Sequence, residues 1–308
     1  MNFPKNVTVY VVFTIILIYI GFIFYSDYTK ISNNFSKFDF TLLLLVIPIE
    51  LSSFFIRSIR QKLLLKEIEI DIPLLENFKI YVAGLSMIVT PGGTGILIKS
   101  YFLKKHYGYS HSKIFPLIFV ERFHDFLAVS LIIFITLLFV FTWESFFLVI
   151  SSSIFLTFII LIFRKNYFFK KIFSQLKKLR YFSKFVPSYD FNNSILTLTN
   201  LRITIKSSLL SFFSWSIEII SFYYIFQAFE IDLSFIESGQ IVYTSILFGI
   251  LSFLPGGIGS TEGSLIFLLA NLGYDLSLVI SAVLLLRIVT IWFATSMGFI
   301  FAQKFFRK

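Results

Sequence analysis

The 308-residue chain contains no cysteine and only three histidines. The absence of cysteine excludes disulfides, thiolate metal sites and a cysteine nucleophile. The histidines are too few and too scattered for a convincing metal site. Charged residues make up 14% of the sequence, whereas a soluble domain usually carries about 25%. We therefore expect no metal and no cofactor in a chain that is poor in charge.

Motifs typical of hydrolases and transferases are also absent. The chain has no nucleophile elbow, no phosphate-binding loop ending in Gly-Lys-Ser/Thr and no His-Glu-x-x-His helix. An ATP-driven pump is therefore not expected, and no residue is assigned as catalytic. The formal net charge of +10 could indicate nucleic-acid binding. In an apolar chain the positive-inside rule explains the same charge, so we expect no nucleic-acid partner.

Hydrophobic residues account for 57% of the chain, and apolar runs near twenty residues long recur along it. Runs of that length can cross the hydrocarbon core of a bilayer. The first run follows one lysine and lacks a small-residue cleavage pattern, which indicates a retained helix and not a signal peptide. We predict one membrane domain over residues 1–308 with six full spans: Val7–Tyr25, Phe40–Ile56, Ile114–Phe141, Ser145–Phe163, Ser207–Phe229 and Leu276–Phe301.

Two further apolar regions, 74–103 and 236–270, are interrupted by the pattern Pro-Gly-Gly-x-Gly. Proline removes a backbone donor and clustered glycine cannot hold a helix, so each region should form two helical arms joined by a non-helical tip. Such a tip survives in a membrane only when it is buried in protein or lines a wet cavity. The interruptions are residues 91–95, with Gly92, Gly93 and Gly95, and residues 255–259, with Gly256, Gly257 and Gly259.

The sequence after the two breaks also matches. Each break is followed by a Gly-Tyr pair, and Arg122 and Arg287 each lie 13 residues after the tyrosine of that pair. We therefore predict two repeat units, 40–141 and 207–301, joined by a basic connector, 164–206. The predicted fold is an all-α integral membrane protein with about six full spans plus two broken, re-entrant helical hairpins in an inverted-topology repeat. Inverted repeats with broken helices are a transporter architecture.

The loop charges predict an orientation. Basic residues, including Arg57 and Arg60, follow the second span, and others follow the first hairpin, fill the connector and end the chain. The opposite loops carry acids only. One topology in the cell membrane satisfies this pattern, with both termini on the cytoplasmic side. The first hairpin then enters the membrane from the cytoplasm and the second from outside. The connector is either a plain topogenic loop or an amphipathic helix that binds anionic lipid.

Of the basic residues, only Arg122 and Arg287 are predicted to lie deep inside a span, near the bilayer midplane. A cation there costs about 2.5–3.5 kcal/mol on insertion scales, so each arginine needs a partner or a wet cavity. Asp125 lies three residues after Arg122, and both this pairing and a ligand role for Arg122 stay open. Glu121 would then be a spare acid, free to take up a proton or to partner Arg287.

Three more acids, Glu50, Glu218 and Glu262, lie in apolar segments. For Glu50 and Glu218 three interpretations stay open: a protonated carboxyl group, a hydrogen-bonded one or a functional one. His124 is expected to be packed or hydrogen-bonded, with a proton-relay role as the alternative.

A new helix is predicted to begin after each break. Its first amides lack intrahelical partners and carry the positive end of the helix dipole. Ser260 and Thr261 are suitable capping residues, and Glu262 lies in the first turn. Two such N-termini with two arginines favour an anion such as a phosphate, most readily that of a lipid headgroup. Lys99, one turn after the first break, could add to this site, but we expect it to snorkel to the interface.

Several of these elements stand together in one order: Arg57-Ser58-Ile59-Arg60, Thr90-Pro91-Gly92-Gly93-Thr94-Gly95, Val120-Glu121-Arg122 with Asp125, Leu254-Pro255-Gly256-Gly257-Ile258-Gly259 with Glu262-Gly263, and Arg287 followed by Trp292. In these elements the chain resembles the lysylphosphatidylglycerol synthetase transmembrane region, a family also labelled flippase-like or UPF0104. The family usually has an acid after the first break, where this chain has Ile96. Full-length synthetases also carry a soluble aminoacyl transferase domain, which we do not expect here because the sequence ends seven residues after Phe301.

The resemblance implies movement of aminoacylated or other lipids between leaflets. The leading hypothesis is a lipid translocase that binds an anionic or aminoacyl phospholipid, or a polyprenyl-linked lipid, at a midplane anion site. Two alternatives stay open: a membrane subunit of a phosphatidylglycerol lysyltransferase or lipid-linked glycosyltransferase with a separate soluble partner enzyme, and an anion or proton-coupled solute transporter. The isolated chain is not expected to be an enzyme. The candidate substrate-binding residues are Arg122, Arg287, Glu121, Asp125, Glu262, Ser260 and the six glycines of the breaks, with Arg57, Arg60, Lys99, Glu50 and Glu218 as further candidates.

Overall fold

The computed structural model describes residues 27–90, 98–164, 189–252 and 254–307, in which it shows helices and no β-strand. The predicted first span, the first break at 91–95 and most of the basic connector lie outside these residues. The described α-helices are α1 Tyr28–Lys37, α2 Leu43–Glu67, α3 Leu74–Leu85, α4 Ile98–Tyr107, α5 His111–Leu137, α6 Trp143–Arg164, α7 Tyr189–Leu198, α8 Leu201–Ala228, α9 Phe235–Leu251, α10 Ser260–Asn271, α11 Leu276–Arg287 and α12 Phe293–Arg307.

Helix α2 continues to Glu67, whereas the predicted span ended at Ile56. The prediction that Arg57 and Arg60 lie in a loop was therefore wrong. The residues that follow Ile56 include Arg, Gln, Lys and Leu, which are strong helix formers, and neither Gly nor Pro interrupts them before residue 67. Both arginines consequently lie on the helix and are buried in the protein.

Helices α2 and α8 end in the same way. The second residue after each helix, Glu69 and Glu230, has φ of 57°. The amide of the next residue then donates to a carbonyl five positions earlier, at 2.9 and 3.0 Å respectively. This is the hydrogen-bond pattern that satisfies the last free carbonyls of a helix, although glycine is the usual residue at the left-handed position.

Three helical stretches are long and apolar enough to cross a membrane: Phe40–Glu67, Leu201–Ala228 and Leu276–Phe306. The third consists of α11, a π-helical turn at Ile288–Trp292 and α12. Helix α5 is 27 residues long but carries two acids and an arginine near its middle. The part of α6 from Trp143 to Phe158 is a shorter apolar helix. Several apolar helices of this kind are typical of a membrane protein.

Helices from the N-terminal and C-terminal parts of the described chain pack against each other. Helix α2 packs along α8, α3 along α12 and α5 along α9, while α4 lies against α5 and α10 against α11. Ser53 of α2 and Glu218 of α8 are hydrogen-bonded and stand 165 residues apart in the chain. The same offset separates Arg122 from Arg287. The Ser53–Glu218 contact therefore has the same sequence separation as the two arginines.

The second break lies between α9 and α10, which pack against each other. Pro255–Gly257 forms one 3-10 turn, and Gly256, Gly257 and Gly259 have φ of 59°, 65° and 85°. Side chains disfavour this left-handed region, so glycine permits the reversal. A Cβ at Gly256 would stand 3.4 Å from Cα of Val89. The tip of the second break therefore contacts the chain just before the first.

Candidate functional site

A line of buried polar side chains joins α2 to α8. Arg57 donates to Glu218 at 2.5 Å and to Ser214 at 3.1 Å. Ser53 donates to the same Glu218 oxygen at 2.5 Å. Residues three or four apart share one helix face, and small serines let two helices approach closely. We call this set the polar seam: Glu50, Ser53, Arg57 and Arg60 of α2, with Ser207, Ser211, Ser214, Glu218 and Ser221 of α8.

Arg60 and Arg122 share one carboxylate, that of Asp125. Arg60 is fully buried and donates to Asp125 and, at 2.5 Å, to Ser211. The Nη2 atom of Arg122 lies 2.9 Å from Asp125, and the Arg122 side chain is 38% exposed. The indole N–H of Trp215 also donates to Asp125, at 3.2 Å. Two cations therefore converge on one anion, with the exposed part of the group at Arg122.

Lys99 is buried and does not reach an interface. Its Nζ lies 2.8 Å from Glu121, which is fully buried, and stands 4.5 Å from the centroid of the Tyr81 ring. The stem of Lys99 passes Gly84 of α3, where a Cβ would come within 2.6 Å of it. The expectation of a snorkelling Lys99 was wrong because Glu121 supplies a buried partner. Glu121 is for the same reason not a spare acid.

Arg287 pairs with Glu262 across the second break. Its Nε donates to Glu262 at 2.8 Å, and its Nη2 donates to the carbonyl of Gly256 at 3.0 Å. The other oxygen of Glu262 accepts the N–H of Gly259 at 2.8 Å. The Arg287–Glu262 pair thus ties both sides of the break to α11, and the partner of Arg287 is Glu262 and not Glu121.

The hydroxyl groups that were predicted to cap α10 hold the break instead. The N-cap residue is Gly259, and Ser260 donates to the carbonyl of Gly257 at 3.0 Å. Thr261 packs against Gly249 of α9, where a Cβ would collide with its hydroxyl. The N–H of Gly259, at the start of this turn, already donates to the carboxylate of Glu262. The tip is therefore a weaker binding site for an outside anion than free backbone amides would be.

Several buried polar atoms without a hydrogen-bond partner belong to the two arginines that pair with Asp125 or to its neighbours on α5. They are Arg60 Nε, Arg122 Nε, Glu121 Oε1 and His124 Nε2. The other ring nitrogen of His124 is hydrogen-bonded to Ser207 at 3.1 Å. In a low-dielectric interior such atoms are costly unless a water or ligand reaches them. The arrangement can therefore offer both donors and acceptors to a bound polar group.

Of the predicted site residues, the structure brings Arg122, Asp125 and Glu121 together with Lys99, and it joins Arg287 to Glu262 at the second break. Gly92, Gly93 and Gly95 lie outside the described residues.

Sequence reasoning missed the central position of Arg57 and Arg60. Their three-to-four spacing from Glu50 and Ser53 was the signal that α2 continues. Trp215 and the seam serines were missed entirely. Among the described residues, no group of three His, Asp or Glu side chains could hold a metal ion.

Comparisons with known proteins agree with this membrane architecture. A profile of the family described as "Lysylphosphatidylglycerol synthase TM region" matches residues 10–298. A UPF0104 membrane protein of Pyrococcus horikoshii is 25% identical over 293 residues, which cover 86% of this chain and 88% of the relative. Two UPF0104 membrane proteins of Methanothermobacter thermautotrophicus match shorter stretches. One is 28% identical over 111 residues, 36% of this chain and 33% of the relative. The other is 39% identical over 95 residues, which cover 31% of this chain and 28% of the relative.

Proposed function

The chain belongs to the lysylphosphatidylglycerol synthase TM region family, and on that premise we propose that it moves a phosphate-bearing lipid between the leaflets of a membrane. The substrate class is an anionic or aminoacylated phospholipid or a polyprenyl-linked lipid. The observation that carries the proposal is Arg122, a partly exposed guanidinium whose carboxylate partner, Asp125, also serves the buried Arg60.

The charge balance of the buried groups favours an anion at this point. Arg57, Lys99 and Arg287 each have a carboxylate of their own, whereas Arg60 and Arg122 share one. A phosphate beside Arg122 would supply the missing negative charge. The planar guanidinium presents paired donors that match phosphate oxygens, and the low dielectric of the bundle strengthens the attraction.

The architecture that suits this function is the predicted inverted repeat, with two re-entrant hairpins among about six full spans and both termini cytoplasmic in the cell membrane. The pairing of α2 with α8, of α3 with α12 and of α5 with α9 supports it. The contact of Gly256, in the second break, with Val89, just before the first break, supports it as well. A lipid headgroup would pass along the interface of the two units, with its chains remaining in the bilayer.

Lipid exchange in vesicles tests the proposal. The protein is reconstituted with labelled phosphatidylglycerol, and a membrane-impermeant quencher reports how fast inner-leaflet lipid reaches the outside. We expect Arg122→Gln to slow exchange by about tenfold or more, the effect of losing one charged hydrogen bond of about 1.5–3 kcal/mol. Arg202→Gln is the matched control, because it removes the same charge from an exposed position of α8. Equal rates for Arg122→Gln and the parent would contradict the anion site.

A second candidate is a membrane subunit of a lipid-modifying transferase that acts with a separate soluble enzyme. The observation that favours it is the name of the family, which refers to a synthase. If the reconstituted parent exchanges neither phosphatidylglycerol, nor its lysyl form, nor a polyprenyl phosphate, the translocase proposal fails. Co-purification of an aminoacyl or glycosyl transferase activity would then support the second candidate.

A further inference from the structure

Glu50 differs from the other buried acids of the described chain. Glu121, Asp125, Glu218 and Glu262 each form an ion pair with a buried or partly buried basic side chain. Glu50 is 1% exposed, its Oε1 has no hydrogen-bond partner, and it forms no ion pair among the described residues. An ionised carboxylate in this position would be very costly, so a neutral, protonated form is favoured.

The polar seam places Glu50 next to a second carboxyl group. Contacts run in opposite directions along the two helices, from Arg60 with Ser211, through Arg57 with Ser214, to Ser53 with Glu218. One turn further, the same register sets Glu50 of α2 against the buried hydroxyl group of Ser221 of α8. The titratable groups that act on Glu50 are Glu218 of α8, Arg57 of its own helix and Tyr243 of α9.

Two carboxyl groups therefore depend on one guanidinium. Arg57 donates to Glu218 and stacks over Trp215, 3.9 Å from the ring centroid. Tyr81 of α3, Asp125 of α5 and Tyr243 of α9 face the same arginine, and none of them supplies a second cation. With one positive charge between them, two closely spaced carboxyl groups hold one proton more stably than none.

We propose that Glu50 and Glu218 share one exchangeable proton, and that this proton is the coupling ion of transport. The coupling role rests on the proposed function, whereas the shared proton does not. When Glu50 is protonated, Arg57 binds Glu218. When the proton leaves Glu50, the new carboxylate competes for Arg57, or Glu218 takes up the proton so that the pair keeps one negative charge.

Helix α2 connects this event to the proposed anion site. Arg60 lies one turn beyond Arg57 on the same face, and it shares Asp125 with Arg122. If movement of Arg57 displaces α2, the ion pair between Arg60 and Asp125 changes as well. The extent to which Asp125 neutralises Arg122 would then change. Pro48 lies inside α2, two residues before Glu50. Because proline donates no backbone hydrogen bond, the helix can bend at that point at lower cost.

Infrared spectroscopy of the protein in lipid tests the proton site without any transport. At neutral pH exposed carboxyl groups are ionised, so a C=O stretch of protonated carboxyl groups reports buried ones. We expect such a band in the parent, a shift of the band in heavy water because the proton exchanges, and its loss in Glu50→Gln. Glu144→Gln, which removes an exposed carboxyl group, should keep the band. An unchanged band in Glu50→Gln would overturn the proton site.

Vesicle exchange under a pH gradient tests the coupling. In the parent, the rate of labelled phosphatidylglycerol exchange should change by severalfold when the gradient is reversed, with a matching change of a lumenal pH dye. Glu50→Gln, whose neutral amide copies the protonated acid, should lose this dependence on the gradient. A parent that exchanges lipid equally under both gradients overturns the coupling. A parent that exchanges no lipid but shows the Glu50 band overturns the proposed function and upholds the proton site.

Discussion

The two short helices that follow the breaks, α4 and α10, are tied to the next long helix by buried ion pairs of opposite polarity. In the first half the short helix carries the cation, Lys99, and the long helix carries Glu121. In the second half the short helix carries the acid, Glu262, and the long helix carries Arg287. Both pairs span 2.8 Å. The two ion pairs therefore have the same length and opposite signs along the chain.

The pairs differ in what else they hold. The Glu262–Arg287 pair also binds the backbone of Gly256 and Gly259, so it closes the second break. In the first half, one oxygen of Glu121 has no hydrogen-bond partner, and the residues beside it converge on the partly exposed Arg122. The second pair thus serves structure, and the first adjoins the proposed binding region. If the two pairs differ in this way, loss of the second pair should destabilise the protein more than loss of the first.

Arg287→Met should be the most destabilising change. It leaves Glu262 buried without its ion-pair partner and frees the Gly256 carbonyl, so we expect a loss of about 3–5 kcal/mol. Thermal and denaturant unfolding in a mild detergent would measure it, with Arg202→Met as the matched surface control. An unfolding midpoint equal to that of the parent would show that the second pair does not hold the break.

Lys99→Met should cost less, about 2–3 kcal/mol, because Arg60 also acts on Glu121. A double variant, Lys99→Met with Glu121→Gln, should regain most of this loss, since a neutral pair needs no buried charge partner. The corresponding double variant at Arg287 and Glu262 should regain less, because the break then loses its backbone contacts. Equal recovery of stability in the two double variants would show that the two ion pairs serve the same structural role.

Gly84→Ala and Gly249→Ala should each destabilise the protein by about 1–3 kcal/mol through overpacking. At Gly84 a Cβ would meet the stem of Lys99 at 2.6 Å, and at Gly249 it would meet Thr261. Gly263→Ala is the matched control, because a Cβ there has nothing within 4 Å. That helical substitution should raise stability by up to about 1 kcal/mol. A destabilised Gly263→Ala would mean that glycine content, and not contact, decides the result.

The smallest effect is expected at the ends of α2 and α8. Glu69→Gly and Glu230→Gly remove a side chain from a left-handed backbone position with φ of 57°. Relief of that strain, offset by the greater freedom of glycine in the unfolded chain, should stabilise each variant by about 0.5 kcal/mol. Unequal changes in unfolding midpoint would show that the two helix ends, although alike in geometry, differ in energy.

The sequence predicted an all-helical membrane chain, and the family match and the apolar helices bear that out. It also located the second interruption, because proline and glycine act locally. It failed at Arg57 and Arg60, since a run of basic residues after an apolar stretch is typical of a cytoplasmic loop. Their partners, Glu218 and Asp125, stand 161 and 65 residues further along the chain. No local pattern reveals that a charge will be neutralised from such a distance.

The serines of the polar seam have a consequence for helix register. Hydroxyl groups recur at successive turns in the first half of α8, at Ser207, Ser211 and Ser214, so they can satisfy the arginines of α2 in more than one alignment. A slip of one turn, about 5.4 Å, would leave Arg57 and Arg60 with hydroxyl partners but would misplace Glu218. The serines therefore permit more than one register of α2 against α8, and the carboxylates specify a single one.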